Sequence, residues 1–147
     1  MRYLLDTNTC IQYLSERSAS VVAKVNKLEE GEAVVCSVVK AELLYGALRS
    51  RNPERTSDDQ RGVFALFDSL PFDDAAAEHY ARVRADLSAR GTPISANDLI
   101  IAAIALANDL TLVTHNTREF ERVLGLRTED WEADSDPSSS SAETTSS

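Results

Sequence analysis

Short apolar runs alternate along this chain with longer segments in which apolar residues recur at helical spacing. The runs predict buried strands, at residues 2–5, 33–36, 70–72 and 111–114. The longer segments predict helices, at about residues 9–14, 19–28, 38–49, 62–70, 75–89, 96–108 and 118–124. Short apolar strands that alternate with helices favour an α/β fold with a parallel sheet, because helices cover both faces of such a sheet.

The C-terminal segment lacks this alternation. Residues 132–147 carry no apolar pattern and consist mostly of Ser, Thr and acidic residues, a composition typical of a disordered tail. Residues 1–131 are then predicted to form a single domain. The longest unbroken apolar run, residues 99–107, is about half of the roughly 20 residues that a membrane-spanning helix needs. The N-terminal apolar run is too short for a signal peptide, so we expect a cytoplasmic protein without membrane contact.

The charge balance is acidic and poor in lysine. The formal net charge is -9, and the 15 basic residues comprise 12 Arg and only 3 Lys. This composition suggests a salt-adapted host. In molar salt the Debye length is about 3 Å, so long-range attraction contributes little, and an acidic protein can still bind nucleic acid through close contacts. The net charge therefore does not exclude an RNA substrate.

Asp6 raises the first question of chemistry. It ends the first apolar run, in the stretch YLLDTNTC. In parallel sheets, ligands bind at the carboxyl ends of strands, where the following helices begin. An aspartate at this position also commonly caps the next helix. Its place in the sequence supports both interpretations equally.

Two further acids lie on segments that are otherwise apolar. Glu42 belongs to SVVKAELLYGAL, which predicts a buried helix because apolar residues surround it nearly completely. A buried glutamate needs a partner, and Arg49 is the structural candidate. Asp98 opens an equally apolar helix. Ser95 and Asp98 have the spacing of a capping box, and the helix dipole would favour a carboxylate there.

A fourth group of polar residues follows the last predicted strand. Thr114, Asn116 and Glu119 lie at this strand end or in the helix after it, where helix capping is the ordinary explanation. We interpret His115 as a strand-end residue rather than a general base, since the only other histidine, His79, belongs to a different helix.

These acidic and amide groups should converge at one edge of a parallel sheet. Two carboxylates about 4 Å apart repel each other by roughly 4 kcal/mol at an effective dielectric constant near 20, so such a cluster requires a proton or a cation. A set of oxygen ligands without Cys or His favours Mg²⁺ or Mn²⁺ over zinc. Metal ions held in this way serve phosphodiester hydrolysis.

Four segments carry a family resemblance: LLDTNTCI, SVVKAELLYGA, ISANDLIIAAIAL and LVTHNTREFERVLGLRTEDW. They resemble the PIN-domain ribonucleases, specifically the VapC-type toxins of toxin–antitoxin pairs, over residues 1–131. The resemblance implies a three-layer α/β/α fold with a five-stranded parallel sheet, Mg²⁺- or Mn²⁺-dependent endoribonuclease activity, a homodimer and a VapB-like antitoxin. The C-terminal motif is most similar to the VapC group that cleaves initiator tRNA, which implies tRNA as the RNA substrate.

The resemblance also implies roles for individual residues. The metal-binding acids of the family map to Asp6, Glu42 and Asp98. The fourth family position, often Asp, falls on Asn116, so Glu119 is an alternative source of the missing carboxylate. Residues expected to position the substrate are Thr7, Asn8 and Thr114. Independently of the resemblance, the best basic patch for RNA contacts is the run LRSRNPER with Arg49, Arg51 and Arg55, since guanidinium groups suit phosphate. An ordinary solvated linker is the alternative explanation of that basic run.

Two further expectations concern partners and activity. The apolar segments VVAKVNKL and ELLYGALRS could form a groove for an antitoxin helix or simply pack into the core. The uncharged Asn116 also leaves open a rival interpretation, in which the protein is a catalytically inactive PIN domain that only binds antitoxin or RNA. The presence of Asp6, Glu42 and Asp98 argues against that interpretation.

Overall fold

The computed structural model describes residues 2–132, and residues 133–147 of the predicted tail lie outside them. The strands are β1 (Tyr3–Leu5), β2 (Ala33–Cys36), β3 (Asp68–Leu70), β4 (Thr111–Val113) and β5 (Arg127–Glu129). The helices are α1 (Thr7–Leu14), α2 (Ala19–Lys27), α3 (Ser37–Leu48), α4 (Pro53–Phe64), α5 (Asp74–Ala89), α6 (Ala96–Ala107) and α7 (Thr117–Phe120). Within residues 2–132, no helix combines the length and apolarity that crossing a bilayer requires.

All five strands pair in parallel, in the order β3-β2-β1-β4-β5. The two hydrogen-bonded neighbours of β1 are β2 and β4, with Tyr3 opposite Ala33 and Leu5 opposite Val113. The residues of these three central strands are almost all buried, as a parallel sheet covered by helices requires. The predicted five-stranded α/β/α fold is thus confirmed, and the carboxyl ends of all five strands lie at one edge of the sheet.

The helix and strand predicted after residue 50 were misplaced. The expected helix at residues 62–70 is instead α4, which begins at Pro53, and the strand expected at residues 70–72 is β3. Pro53 suits the first helical position, and Asn52 Oδ1 accepts a hydrogen bond from the Arg55 N–H (3.4 Å). Helix α4 is mostly polar and β3 is an edge strand with exposed residues. Neither element therefore presents the apolar periodicity on which the prediction relied.

Two other differences arise where elements meet solvent. The apolar pattern gave no signal for β5, since this edge strand reads Arg-Thr-Glu. Helix α3 was predicted to be buried all round, which is wrong. Its residues Val39, Leu43 and Ala47 are buried, but Tyr45 is 61% and Leu48 is 67% exposed. A helix that covers a sheet buries only one side, and Tyr45 and Leu48 of α3 face outward.

Candidate active site

Asp6 lies between β1 and α1, at the carboxyl edge of the sheet. Its backbone N–H donates to the Val113 carbonyl oxygen (3.1 Å), and the residue is 7% exposed. Oδ1 accepts a hydrogen bond from the Thr9 N–H (2.8 Å), so the expected capping contact is present. Burial raises the pKa of Asp6, while hydrogen bonds to Thr114 and Thr9 partly oppose that increase. Capping therefore coexists with a carboxylate placed at the edge where ligands of parallel sheets bind.

Glu42 reaches the same edge from α3 and is held by two neutral side chains. Thr7 Oγ1 donates to Oε1 (2.5 Å), and Asn97 Nδ2 donates to Oε2 (3.3 Å). The sequence suggested Arg49 as the structural partner of Glu42, and this prediction is wrong. The Arg49 guanidinium lies over the Tyr45 ring instead, 5.3 Å from its centre. Both carboxylate oxygens of Glu42 are thus oriented without a cation from the described part of the protein.

Asp98 lies in the first turn of α6. The Ser95 hydroxyl accepts a hydrogen bond from the Asp98 N–H (3.2 Å), which is the contact that a capping residue makes. The carboxyl group of Asp98 also interacts electrostatically with Glu119 and Asp6. Burial, followed by these two carboxylates, raises the pKa of Asp98 to about 6, although Ser95 acts in the opposite direction. The helix start and the acid cluster therefore share this residue.

The polar residues after β4 complete the group. Asn116 Nδ2 donates to Glu119 Oε2 (2.8 Å), and the Asn116 N–H donates to the hydroxyl oxygen of Thr114 (3.0 Å). Thr114 is fully buried and contacts Asp6 through its hydroxyl. The amide of Asn116 thus holds the carboxylate of Glu119, and Glu119 is the charged neighbour of Asp98.

Within residues 2–132, three other predicted positions make no side-chain hydrogen bond or ion pair with these acids: Asn8, Arg49 and Arg51. Asn8 is exposed, and its Nδ2 donates to Glu132 Oε2 (3.3 Å). Arg49 and Arg51 are exposed near the turn between α3 and α4. Neither arginine makes an ion pair with an acid of residues 2–132. The structure therefore brings the threonines and acids together and leaves the basic run outside the cluster.

A second group of donor atoms lies at the ends of β4 and β5, and sequence reasoning missed it. His115 Nδ1 is 2.9 Å from Asp130 Oδ2 and 4.0 Å from Glu132 Oε2. The Glu132 N–H donates to Asp130 Oδ1 (2.9 Å), which fixes the two acids relative to each other. His115 was correctly placed at a strand end, but its partners follow β5, the strand that the apolar pattern did not reveal.

Comparison with known proteins decides the family. The PIN domain model matches residues 3–126. The tRNA(fMet)-specific endonuclease VapC of Shigella flexneri is 44% identical over 131 residues, which cover 89% of this chain and 98% of the relative. The chain belongs to the VapC family of PIN-domain proteins.

Solved structures of VapC-family complexes agree with this assignment. VapBC2 from Rickettsia felis bound to a promoter DNA fragment matches with a TM-score of 0.83 and 31% identity, over 89% of this chain and 99% of that one. DNA-bound VapBC from Salmonella typhimurium matches with a TM-score of 0.83 and 37% identity, over 89% and 98%. The PIN match contains all of the acids predicted from the sequence, whereas Asp130 and Glu132 lie beyond it.

The donor atoms of this VapC-family site suit a hard cation. The predicted acids contribute only oxygen atoms, and mutual repulsion is part of the reason why the pKa of Asp98 is raised. A divalent cation offsets such repulsion, and Mg²⁺ and Mn²⁺ prefer oxygen ligands. The arrangement is open: within residues 2–132, only His115, Asp130 and Glu132 bring three donor atoms within 4.8 Å of one another. An open set of carboxylates is compatible with Mg²⁺, which usually keeps several of its waters.

The raised pKa of Asp98 predicts a pH-dependent stability. A carboxyl group with a higher pKa in the folded state binds protons more readily when folded, so the free energy of unfolding decreases as the pH rises from about 4 to above the folded pKa of about 6. The Asp98→Asn variant carries no such charge. In EDTA we expect it to unfold at higher urea concentration than wild type at about pH 7.5, with the difference disappearing near pH 4. A difference that is the same at both pH values would contradict this explanation.

Proposed function

We propose that this VapC-family protein is a metal-dependent endoribonuclease toxin that hydrolyses RNA phosphodiester bonds, with tRNA as its substrate, in the cytoplasm. The observation that carries the proposal is the convergence of Asp6, Glu42, Asp98 and Glu119 at the carboxyl edge of the sheet, where burial and then the charges of Glu119 and Asp6 raise the pKa of Asp98. The Shigella flexneri relative is a tRNA(fMet)-specific endonuclease, which supports the substrate class.

The residues of the site have two roles: some would hold a cation, and others orient the carboxylates that hold it. Asp6, Glu42 and Asp98 would hold Mg²⁺ or Mn²⁺, and Glu119 would supply the fourth carboxylate in place of Asn116. When bound, such a cation neutralises phosphate charge and lowers the pKa of water. Asn116 orients Glu119 through its amide (2.8 Å). Asn97 and Thr7 fix the carboxylate of Glu42, and Asn8 lies next to Thr7 where it can meet the RNA backbone.

Thr7 provides a test of this division. Replacing it with valine removes the hydroxyl that donates to Glu42 and leaves a side chain of similar shape. Loss of an outer hydrogen bond to a metal ligand typically costs roughly 10- to 100-fold in metal affinity or activity. We expect the rate of RNA cleavage by Thr7→Val to fall in that range and Thr7→Ser to remain near wild type. Equal rates for both variants and wild type would show that the hydroxyl does not support Glu42.

The same proposal includes protein partners. The Rickettsia felis and Salmonella typhimurium structures are VapBC complexes, which supports a VapB-like antitoxin for this chain. Apolar residues at the surface of α1 and α3, among them Ile11, Tyr45 and Leu48, offer a face for an antitoxin helix. We propose that the toxin itself is a homodimer.

Cleavage of a total tRNA pool by purified protein tests the activity. Reactions would contain Mg²⁺, Mn²⁺ or EDTA, each at low and molar KCl because the acidic composition suggests a salt-adapted host. We expect discrete products only with the divalent cations, and mapping of their ends would identify the cleaved bond. Failure of folded, antitoxin-free protein to cleave under all of these conditions would overturn the nuclease proposal. It would favour the alternative, an inactive PIN domain that only binds antitoxin or RNA. The observation behind that alternative is the uncharged Asn116 at a position where the family often has Asp.

A further inference from the structure

We propose that a cleft between α5 and the start of α6 binds one unpaired nucleotide of the RNA substrate beside the acid cluster. The inference rests on the proposed ribonuclease function and names a part of its substrate site. The cleft has a volume of about 200 Å³. Its floor consists of Leu87, Ile94 and Leu99, which are buried, and its rim includes Tyr80, Arg84 and Ser88.

The aromatic wall of the cleft suits a nucleobase. The half-buried ring of Tyr80 packs edge-on against Phe72, with ring centres 5.8 Å apart and planes at 75°. Phe72 itself is 43% exposed. Aromatic rings at a protein surface stack with bases of single-stranded RNA irrespective of sequence. An apolar floor under such a ring favours a flat apolar face, which a base presents and a phosphate does not.

Arg84 gives the cleft its charge. The Arg84 Nη1 atom donates to the Tyr80 hydroxyl oxygen (3.1 Å), and the guanidinium lies 5.9 Å from the centre of the ring. No acid of residues 2–132 forms an ion pair with Arg84. By contrast, Arg90, at the end of the same helix, is paired with Asp86 (2.6 Å). An unpaired arginine in a protein of net charge -9 favours an anionic occupant, and guanidinium groups match phosphate oxygens.

The cleft adjoins the acid cluster through one turn of α6. Ala96 and Leu99 line the cleft, while between them Asn97 contacts Glu42 and Asp98 contacts Glu119. Residues three apart share a helix face, and the two residues between them project elsewhere. The cleft and the carboxylates thus lie on different sides of one helix, which is about 10 Å across. An RNA strand whose scissile phosphate meets the acids can therefore place a neighbouring nucleotide in the cleft.

The decisive experiment compares two arginines of α5. Arg84→Ala should raise the KM for cleavage of a short single-stranded oligoribonucleotide about tenfold, the usual effect of losing a hydrogen bond to a charged group, with kcat nearly unchanged. Arg82→Ala is the matched control, because Arg82 is also exposed on α5 but lines a different cleft, with His79 and Leu106. A KM for Arg84→Ala equal to that for Arg82→Ala would overturn the proposal.

The ring is tested in the same assay. Tyr80→Leu should raise KM roughly 5- to 100-fold, as expected for the loss of base stacking, whereas Tyr80→Phe keeps the ring and should retain most of the affinity. Melting temperatures identify any variant that fails to fold. If a Tyr80 variant does so, the Arg84→Ala comparison alone tests the proposal, because Arg84 is exposed. A shift of Arg84→Ala or Tyr80→Phe to a smaller species in gel filtration would assign the cleft to a second copy of the chain and overturn the proposal.

A binding measurement separates this inference from the nuclease proposal. Fluorescence anisotropy of the labelled oligoribonucleotide would be followed with Asp98→Asn protein, with and without Arg84→Ala. We expect Arg84→Ala to weaken binding and to reduce the salt dependence of the binding constant by about one unit of log–log slope. If Arg84→Ala weakens RNA binding but the wild-type protein does not cleave RNA, the result supports the nucleotide-binding cleft and overturns only the nuclease function. Unchanged binding alongside normal wild-type cleavage would overturn only the cleft.

Discussion

RNA cleavage by the Asp98→Asn variant should fall about a thousandfold or more below wild type, because metal ions supply several kcal/mol of transition-state stabilisation to phosphodiester hydrolysis. Asparagine keeps the shape of the side chain and cannot carry the charge that holds a divalent cation. Asp6→Asn should have the same effect, because it also removes a carboxylate from the cation site. The variant should still fold, since an asparagine can accept the hydrogen bond from Thr9 and cap α1. Rates are measured with a single RNA substrate at saturating Mn²⁺.

The control for this experiment is Asp74→Asn. Asp74 is an exposed aspartate in the first turn of α5, so it matches Asp98 in residue type and, like Asp98, lies in the first turn of its helix. We expect its cleavage rate to equal that of wild type. Normal cleavage by Asp98→Asn would show that this carboxylate serves only the start of α6, and near-complete loss in Asp74→Asn would show that the assay reports on folding rather than on the site.

The Leu4→Ala variant should lose about 3 kcal/mol of unfolding free energy, as leucine-to-alanine changes in close-packed cores do. Leu4 is fully buried in β1, the central strand of the sheet, where few neighbours can move to fill the space. Leu48→Ala makes the same chemical change at a residue that is 67% exposed and should alter stability by no more than about 0.5 kcal/mol. Urea titrations of both variants at the same salt concentration measure the difference. Equal losses would mean that β1 does not occupy the centre of the core.

The central part of the fold could be predicted because burial leaves a pattern in the sequence. The strands β1, β2 and β4 lie between two layers of helices, so they read as continuous apolar runs. The edge strands β3 and β5 have one open side, and residues such as Asp68 and Arg127 are exposed there. The positions of β3 and β5 follow from backbone pairing with β2 and β4. Backbone pairing does not require apolar side chains, so these edge strands leave no continuous apolar run in the sequence. Helix α4 was misplaced for a similar reason, since its polar sequence shows only the start signal of Asn52 and Pro53.

The candidate site divides in the same way. The sequence indicated which polar residues follow strands or begin helices, and because parallel strands end at one edge, it predicted that Asp6, Glu42, Asp98 and the amide group after β4 converge there. Which of these groups form hydrogen bonds with one another follows from the packing of the helices on the sheet. Thr7 and Asn97 hold Glu42 across 35 and 55 positions of the chain, and the arginine expected to pair with it lies elsewhere. Such contacts depend on how α1, α3 and α6 pack over the sheet, a long-range geometry that residue spacing along one element does not encode.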